Sequence, residues 1–239
     1  MPLNITALHG FLGRPSDFDH LGLQNLYAPD LFLMGPDRMD RWAKRLNRTS
    51  PKNSVLLGYS MGGRLALHCL IDEPTRYRAA IILAAHPGLS GPHERSVRRD
   101  EDRNWAQKFR QEPWAELMDD WNGHGVLNGC HRIARREHHY QRSALASCLR
   151  YFSLGEQADL SLEISLLELP ILWMMPENES IRIKNVVLLN PSSEIVLLKR
   201  ANHRFLFEQP REVSSIIKNF LSRLYFFNRS RNIIHTFML

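Results

Sequence analysis

The stretch Ser54–Gly63, S-V-L-L-G-Y-S-M-G-G, limits the fold more than any other part of this 239-residue chain. A continuous apolar run over Ser54–Leu57 reads as a buried strand, and a helical pattern starts at Arg64. Between them, Gly58-Tyr59-Ser60-Met61-Gly62 is G-x-S-x-G. A chain that turns this sharply from strand to helix strains the backbone of its central serine. A bulky side chain two positions before or after would collide with the turn. Ser60 then stands at the carboxyl end of its strand, where open α/β sheets bind ligands, with the positive end of the next helix beside it.

Other strand candidates recur at intervals that leave room for helices: Asn4–His9, Leu26–Ala28, Ala80–Ala84, Ile171–Met175 and Glu194–Leu198. Most are continuous apolar runs, as a parallel sheet covered on both faces requires. Helical patterns fall at Met39–Leu46, Arg64–Leu70 and Arg211–Tyr225. The last carries Val213, Ile216, Ile217, Phe220, Leu221 and Leu224 at helical spacing. The order predicts an α/β, mostly parallel, doubly wound sheet. From Gly88 to Leu167 no strand pattern occurs, only helix-like segments rich in Arg, His, Trp and Glu. So long a stretch is a helical insertion rather than a loop. The expected division is therefore a core of residues 1–87 and 168–239 and a helical cap of residues 88–167. Asn228–Leu239 reads as a loosely packed extension without clear period.

A serine hydroxyl needs a base to become a nucleophile or to move protons. His203 follows the last strand candidate, where such sheets supply their histidine. The orienting acid is expected after Ile171–Met175, where the chain reads Pro176-Glu177-Asn178-Glu179. Glu179 is in register, and Glu177 is the alternative. The two oxyanion donors are expected to be the backbone amides of Met61 and Phe11, the latter in His9-Gly10-Phe11-Leu12-Gly13.

The formal charge is +6, and arginines concentrate in the insertion. They do not form one basic stripe interleaved with aromatics, which argues against nucleic acid; a pocket for a small anionic substrate is the functional alternative to a solvated basic face. No run approaches the roughly 18 apolar residues that cross a bilayer. The N-terminal segment carries no basic, apolar leader, and three unpatterned cysteines suit a reducing cytosol, so a cytoplasmic protein is expected. His124, His131, His138 and His139 lack the acid spacing of a zinc site, and adjacent His138 and His139 on a helix would point apart. Neither metal nor cofactor is expected. Trp105, Trp114 and Trp121 are read as packing the inner face of the cap.

The H-G-F-L-G at 9–13, G-Y-S-M-G-G-R-L-A-L at 58–67 and H-P-G-L at 86–89 resemble the α/β-hydrolase superfamily. Together with E-R-x-x-R-R-D-x-D-x-x-W-A-Q-K-F at 94–109 and Asp120-Trp121, they are similar to one branch in it. That branch is the MenH-type 2-succinyl-6-hydroxy-2,4-cyclohexadiene-1-carboxylate synthases of menaquinone biosynthesis. The resemblance implies a lyase that removes a proton from a cyclohexene substrate and eliminates pyruvate, with Ser60 and His203 as the working pair. It also implies that Tyr59 lines the pocket, that Arg64 and Arg98 hold substrate carboxylates, and that Trp121 touches the substrate. A further cap arginine, Arg136 or Arg135, would join them. Arg64 agrees with a reading of the residues alone, lying one helical turn after Ser60 with a group suited to carboxylates. The chain departs from the branch where Pro-Glu-Asn-Glu-Ser-Ile-Arg replaces Gly-Glu-x-Asp-x-Lys-Phe at 176–182, and at Ala201-Asn202-His203. Two alternatives stand beside the lyase. One is a small carboxylesterase or thioesterase, for which a basic cap would suit an acidic acyl carrier protein; the other is a binding protein in which the acid fails to orient His203.

Overall fold

The computed structural model describes residues 3–182 and 192–236. Six parallel strands form one sheet in the order β2-β1-β3-β4-β5-β6. They are β1 (Ile5–Leu8), β2 (Leu26–Tyr27), β3 (Ser54–Tyr59), β4 (Tyr77–Leu83), β5 (Ile171–Pro176) and β6 (Ser193–Leu198). Every residue of β1, β3 and β5 is buried, the two-faced burial that continuous apolar strands demand. The order reverses between β1 and β3, which puts a crevice at the carboxyl ends of these strands.

Alternate strand residues feed two cores, as the two-residue period of a strand dictates. Leu8, Leu56, Ala80, Ile82 and Trp173 face α1 (Met39–Thr49) and α2 (Met61–Asp72). Ile5, Val55, Leu57, Ile81, Leu172 and Met174 face α8 (Pro210–Thr236) and the 3-10 turn Pro15–Leu21. Val213 and Ile217 of the α8 stripe are fully buried. Truncating such a residue to alanine costs about 2–5 kcal/mol. The helix also continues to Thr236, across residues expected to be a loose extension. Backbone hydrogen bonding sustains a helix without an apolar period, which is why the pattern stops before the helix does. The expectation for residues 237–239 lies outside the described residues.

Between β4 and β5 come α3 (Pro92–Gln111), α4 (Trp114–Asn122), α5 (Arg142–Tyr151) and α6 (Ser161–Ser165), with no strand among them. Helices α3 and α5 pack on each other. From Gly123 to Gln141 the chain is irregular apart from 3-10 turns at Gly125–Leu127 and Glu137–His139. His138 and His139 therefore do not sit on an α-helix and do not diverge; their rings are 4.3 Å apart. A short helix α7 (Phe205–Glu208) precedes α8. No helix among the described residues is long and apolar enough to cross a membrane.

Candidate active site

Ser60 joins β3 to α2 with φ 54° and ψ −116°, a conformation that costs a side-chain-bearing residue about 1–3 kcal/mol. Its surroundings enforce it. The Ser60 amide donates to the Leu83 carbonyl at 2.8 Å, and its carbonyl accepts from the Arg64 amide at 3.1 Å. A Cβ on Gly62 would lie 2.0 Å from the Leu8 carbonyl oxygen, and one on Gly58 would lie 2.6 Å from that of Gly62. Both glycines are therefore dictated by close backbone approach.

The corner aims Ser60 Oγ at His203, which is buried in the loop after β6. The Ser60 hydroxyl donates to His203 Nε2 at 2.9 Å, and His203 Nδ1–H donates to Glu179 Oε2 at 2.8 Å. A carboxylate can only accept here, so it holds the proton on Nδ1 and leaves the Nε2 lone pair facing the hydroxyl. Tyr59 steadies the loop from below, its hydroxyl donating to the His203 carbonyl at 3.0 Å. Glu179 sits on the 3-10 turn Glu177–Arg182 that follows β5. Glu177, the alternative acid, is exposed and lies beside Leu198, Arg200 and Ala201 instead.

Buried His9 shapes the turn after β1. Its Nδ1–H donates to the Gly10 carbonyl at 2.8 Å, and its Nε2 accepts from the Leu31 amide at 3.0 Å. Burial pushes its pKa down and keeps the ring neutral, as this pair of bonds needs. The Gly13 amide closes the turn on the Gly10 carbonyl at 3.0 Å. Phe11 and Met61 both line the cavity above Ser60. No backbone carbonyl among the described residues takes the Phe11 amide. The Met61 amide opens α2 and has no partner within the helix. Two amides placed so can receive a developing oxyanion.

The cavity has a volume of about 820 Å³ and is roofed by α3 and α4. Tyr59, Arg64, Arg98 and Trp121 all line it. Trp121 packs against Phe11 and Trp105, with ring centroids 5.0 and 4.9 Å away. Arg64 donates from Nη2 to the Phe152 carbonyl at 2.7 Å and from Nη1 to Gln157 Oε1 at 3.2 Å, and it makes no ion pair among the described residues. Gln157, which sequence spacing did not single out, is itself fixed by donating to the Pro87 carbonyl at 2.7 Å. Burial, reinforced by the like charge of Arg98, pushes the Arg64 pKa down to about 9, which leaves it charged at neutral pH. Arg98 differs, because its Nε–H donates to buried Asp102 at 2.9 Å and that carboxylate offsets part of its charge.

Arg136 does not reach the site. It is exposed and stands outside the cavity wall. Its neighbour Arg135 lines the cavity but is gripped by Asp17 through two parallel bonds of 2.9 and 2.7 Å. In an irregular segment no period says which of two adjacent side chains turns inward, and the neutralising partner 118 positions away is invisible to local spacing. One more cavity arginine, Arg204, follows His203 directly and had no spacing signal of its own.

A corner serine, a histidine from the last loop and an acid after β5, in this order along a parallel sheet, define a superfamily by geometry. The profile described as "Alpha/beta hydrolase family" matches residues 7–216. The chain belongs to the alpha/beta hydrolase family. Within the family it is similar to the MenH-type synthases. The 2-succinyl-6-hydroxy-2,4-cyclohexadiene-1-carboxylate synthase of Escherichia coli O17:K52:H18 is 30% identical over 236 residues, covering 91% of this chain and 93% of that one. The synthase of E. coli O1:K1 is 34% identical over 133 residues, 54% of this chain; this match spans about half of that relative's length, 53%. Among solved structures, MenH from S. aureus superposes with a TM-score of 0.81 at 21% identity, covering 93% of this chain and 94% of that one. A thermophilic esterase from Thermogutta terrifontis gives 0.70 at 19%, covering 93% and 90%. At such identities the two structures speak for the fold alone.

Proposed function

We propose that this alpha/beta hydrolase is a lyase that eliminates pyruvate from an anionic cyclohexene carboxylate, with Ser60, His203 and Glu179 as its proton relay. The observation that carries the reading is the continuous relay, Ser60 Oγ to His203 Nε2 at 2.9 Å and His203 Nδ1 to Glu179 Oε2 at 2.8 Å, opening into a cavity with the unpaired cation Arg64. The similarity to MenH-type synthases supports the same reaction class.

Glu179 orients the imidazole and stabilises it when it becomes cationic. His203 Nε2 draws the proton from Ser60, whose oxygen takes a ring proton from the substrate. The electron pair of the broken C–H bond becomes a ring double bond, and pyruvate leaves with the pair of the bond that held it. The proton stored on His203 is then available to the leaving group. Arg64 fixes a substrate carboxylate one helical turn from Ser60, and Tyr59 and Trp121 provide the cavity wall. The amides of Phe11 and Met61 receive negative charge that develops on a carbonyl oxygen.

The same corner serine and paired amides favour a second reading, hydrolysis of a small ester or thioester through an acyl-enzyme. Incubation with the cyclohexene substrate of the MenH-type synthases, with pyruvate followed by a coupled dehydrogenase, separates the two. Pyruvate release that is lost in Ser60→Ala is expected. Rapid turnover of 4-nitrophenyl esters with no pyruvate at any enzyme concentration would move the assignment to the esterase.

A further inference from the structure

Four arginines line the cavity, and their partners divide them into two kinds. Arg98 is paired with Asp102 and Arg135 with Asp17. Arg64 and Arg204 make no ion pair among the described residues. Arg204 is the more confined of these two, with only 7% of its surface exposed. Its Nη1 donates to Asn122 Oδ1 at 2.5 Å and to the His131 carbonyl at 2.8 Å, both on the insertion. Amide and carbonyl oxygens orient a guanidinium without cancelling its charge. The nearby carboxylate of Glu208 is engaged elsewhere, accepting from the His131 amide at 2.6 Å. Nε and Nη2 of Arg204 have no hydrogen-bond partner among the described residues. A buried cation left in this state is costly, and an anionic ligand offsets the cost.

We propose that Arg204 is the second anion-binding group of the cavity, so that the site takes a substrate with two separated anionic groups, one held at Arg64 and the other at Arg204 beside His203. Arg98, which the resemblance put in this role, has its Nε taken by Asp102 and its charge partly offset there. The inference rests on reading this cavity as the substrate site. It adds that discrimination between dianions and monoanions comes from the histidine loop rather than from α3. The fork of Arg204 is held from the Nη1 side only, which leaves its other donors for a carboxylate. The same two bonds to Asn122 and His131 also tie the insertion to the histidine loop, as does Asn202, whose amide donates to the Gly129 carbonyl at 3.4 Å. The test must therefore separate binding from tethering.

Calorimetric titration with isophthalate and with its monoamide does so without requiring turnover. The wild-type chain is expected to hold the diacid about tenfold or more tighter than the monoamide, the scale of a charge-assisted pair. Arg204→Gln abolishes that preference, Arg204→Lys keeps part of it through the charge, and Arg98→Gln keeps it in full. Melting temperatures recorded alongside report the tether separately. A folded Arg204→Gln chain that still prefers the diacid overturns the proposal, as does an Arg98→Gln chain that has lost the preference. If Arg204→Gln does not fold, Arg204→Lys decides: equal affinity for diacid and monoamide overturns the proposal, and a retained preference supports it. Fluorophosphonate labelling of Ser60 in the same samples tests the relay independently, so failure of the anion site is distinguishable from failure of the catalytic reading.

Discussion

The sheet rim and the insertion above it both contribute to one cavity, but they are specified in different ways. At the rim, Gly58, Ser60 and Gly62 are held by backbone atoms at contact distance, and each residue type follows from local geometry. In the insertion, Arg98 and Arg135 face the same cavity, yet what they can do depends on Asp102 and Asp17. One of those partners is four residues away and the other lies across the fold. A strained corner is thus a property of a segment, whereas the usefulness of a charge is a property of its surroundings. The rim should tolerate almost nothing, and in the insertion the loss of a paired charge should cost stability more than it costs binding of an anion.

The largest effect expected from breaking this comparison is at the corner. Ser60→Ala should lower turnover on the order of 10³-fold or more and abolish fluorophosphonate labelling at unchanged melting temperature. Labelling that persists would show that another residue is the reactive one. On the insertion side, Asp17→Asn strands Arg135 as a buried cation and should destabilise the fold by about 3 kcal/mol in urea titration. Asp17→Asn combined with Arg135→Met should recover most of the loss. An uncoupled pair, with the two single effects simply adding, would mean the bridge does not hold the insertion down.

Next, Glu179→Gln should reduce turnover about 10²-fold or more, with Glu177→Gln near wild type. The reverse ranking in steady-state kinetics would transfer the orienting role to Glu177. The arginine contrast is smaller. Arg64→Gln should raise the KM for an anionic substrate about tenfold, the worth of one hydrogen bond to a charged group, while Arg98→Gln should change it far less. Equal effects would erase the distinction between paired and unpaired cations.

The smallest effect belongs to His68, one turn beyond Arg64 on α2. Burial first, and then the charge of Arg64, lower its pKa from 6.5 to about 4, and its Nε2 has no hydrogen-bond partner among the described residues. The folded chain therefore binds fewer protons than the unfolded chain between those values. This part of the stability is fully present above pH 6.5 and is lost as the pH falls toward 4. At pH 5 the loss should be roughly 1 kcal/mol, allowing for partial exposure of the ring. His68→Leu should flatten the acid limb of the melting curve while leaving pH 8 nearly unchanged. An unaltered acid limb would assign the pH dependence to other groups.

The strands were legible because most are continuous apolar runs, and only their ends moved: β3 continues to Tyr59, and β4 begins at Tyr77. The relay was legible for a related reason. Ser60 is marked by its glycines, and His203 and Glu179 are placed by the order of strands that the chain itself displays. Segment 123–141 was not legible, because without a period nothing in it predicts which side chain turns inward. Arg136 or Arg135 was expected at the cavity, and of the two it is Arg135 that lines it.

By itself, then, the amino-acid order determined the parallel sheet, its corner serine and the residues able to reach it, since those depend on apolar period and backbone sterics within short segments. Only the tertiary structure decided which arginines keep a charge to offer. Neutralisation depends on a carboxylate within a few ångströms, and for Arg135 the carboxylate comes from a residue 118 positions away. The guanidinium of Arg204 beside His203, without an ion pair among the described residues, became visible only once the fold had placed the Glu208 carboxylate on the His131 amide.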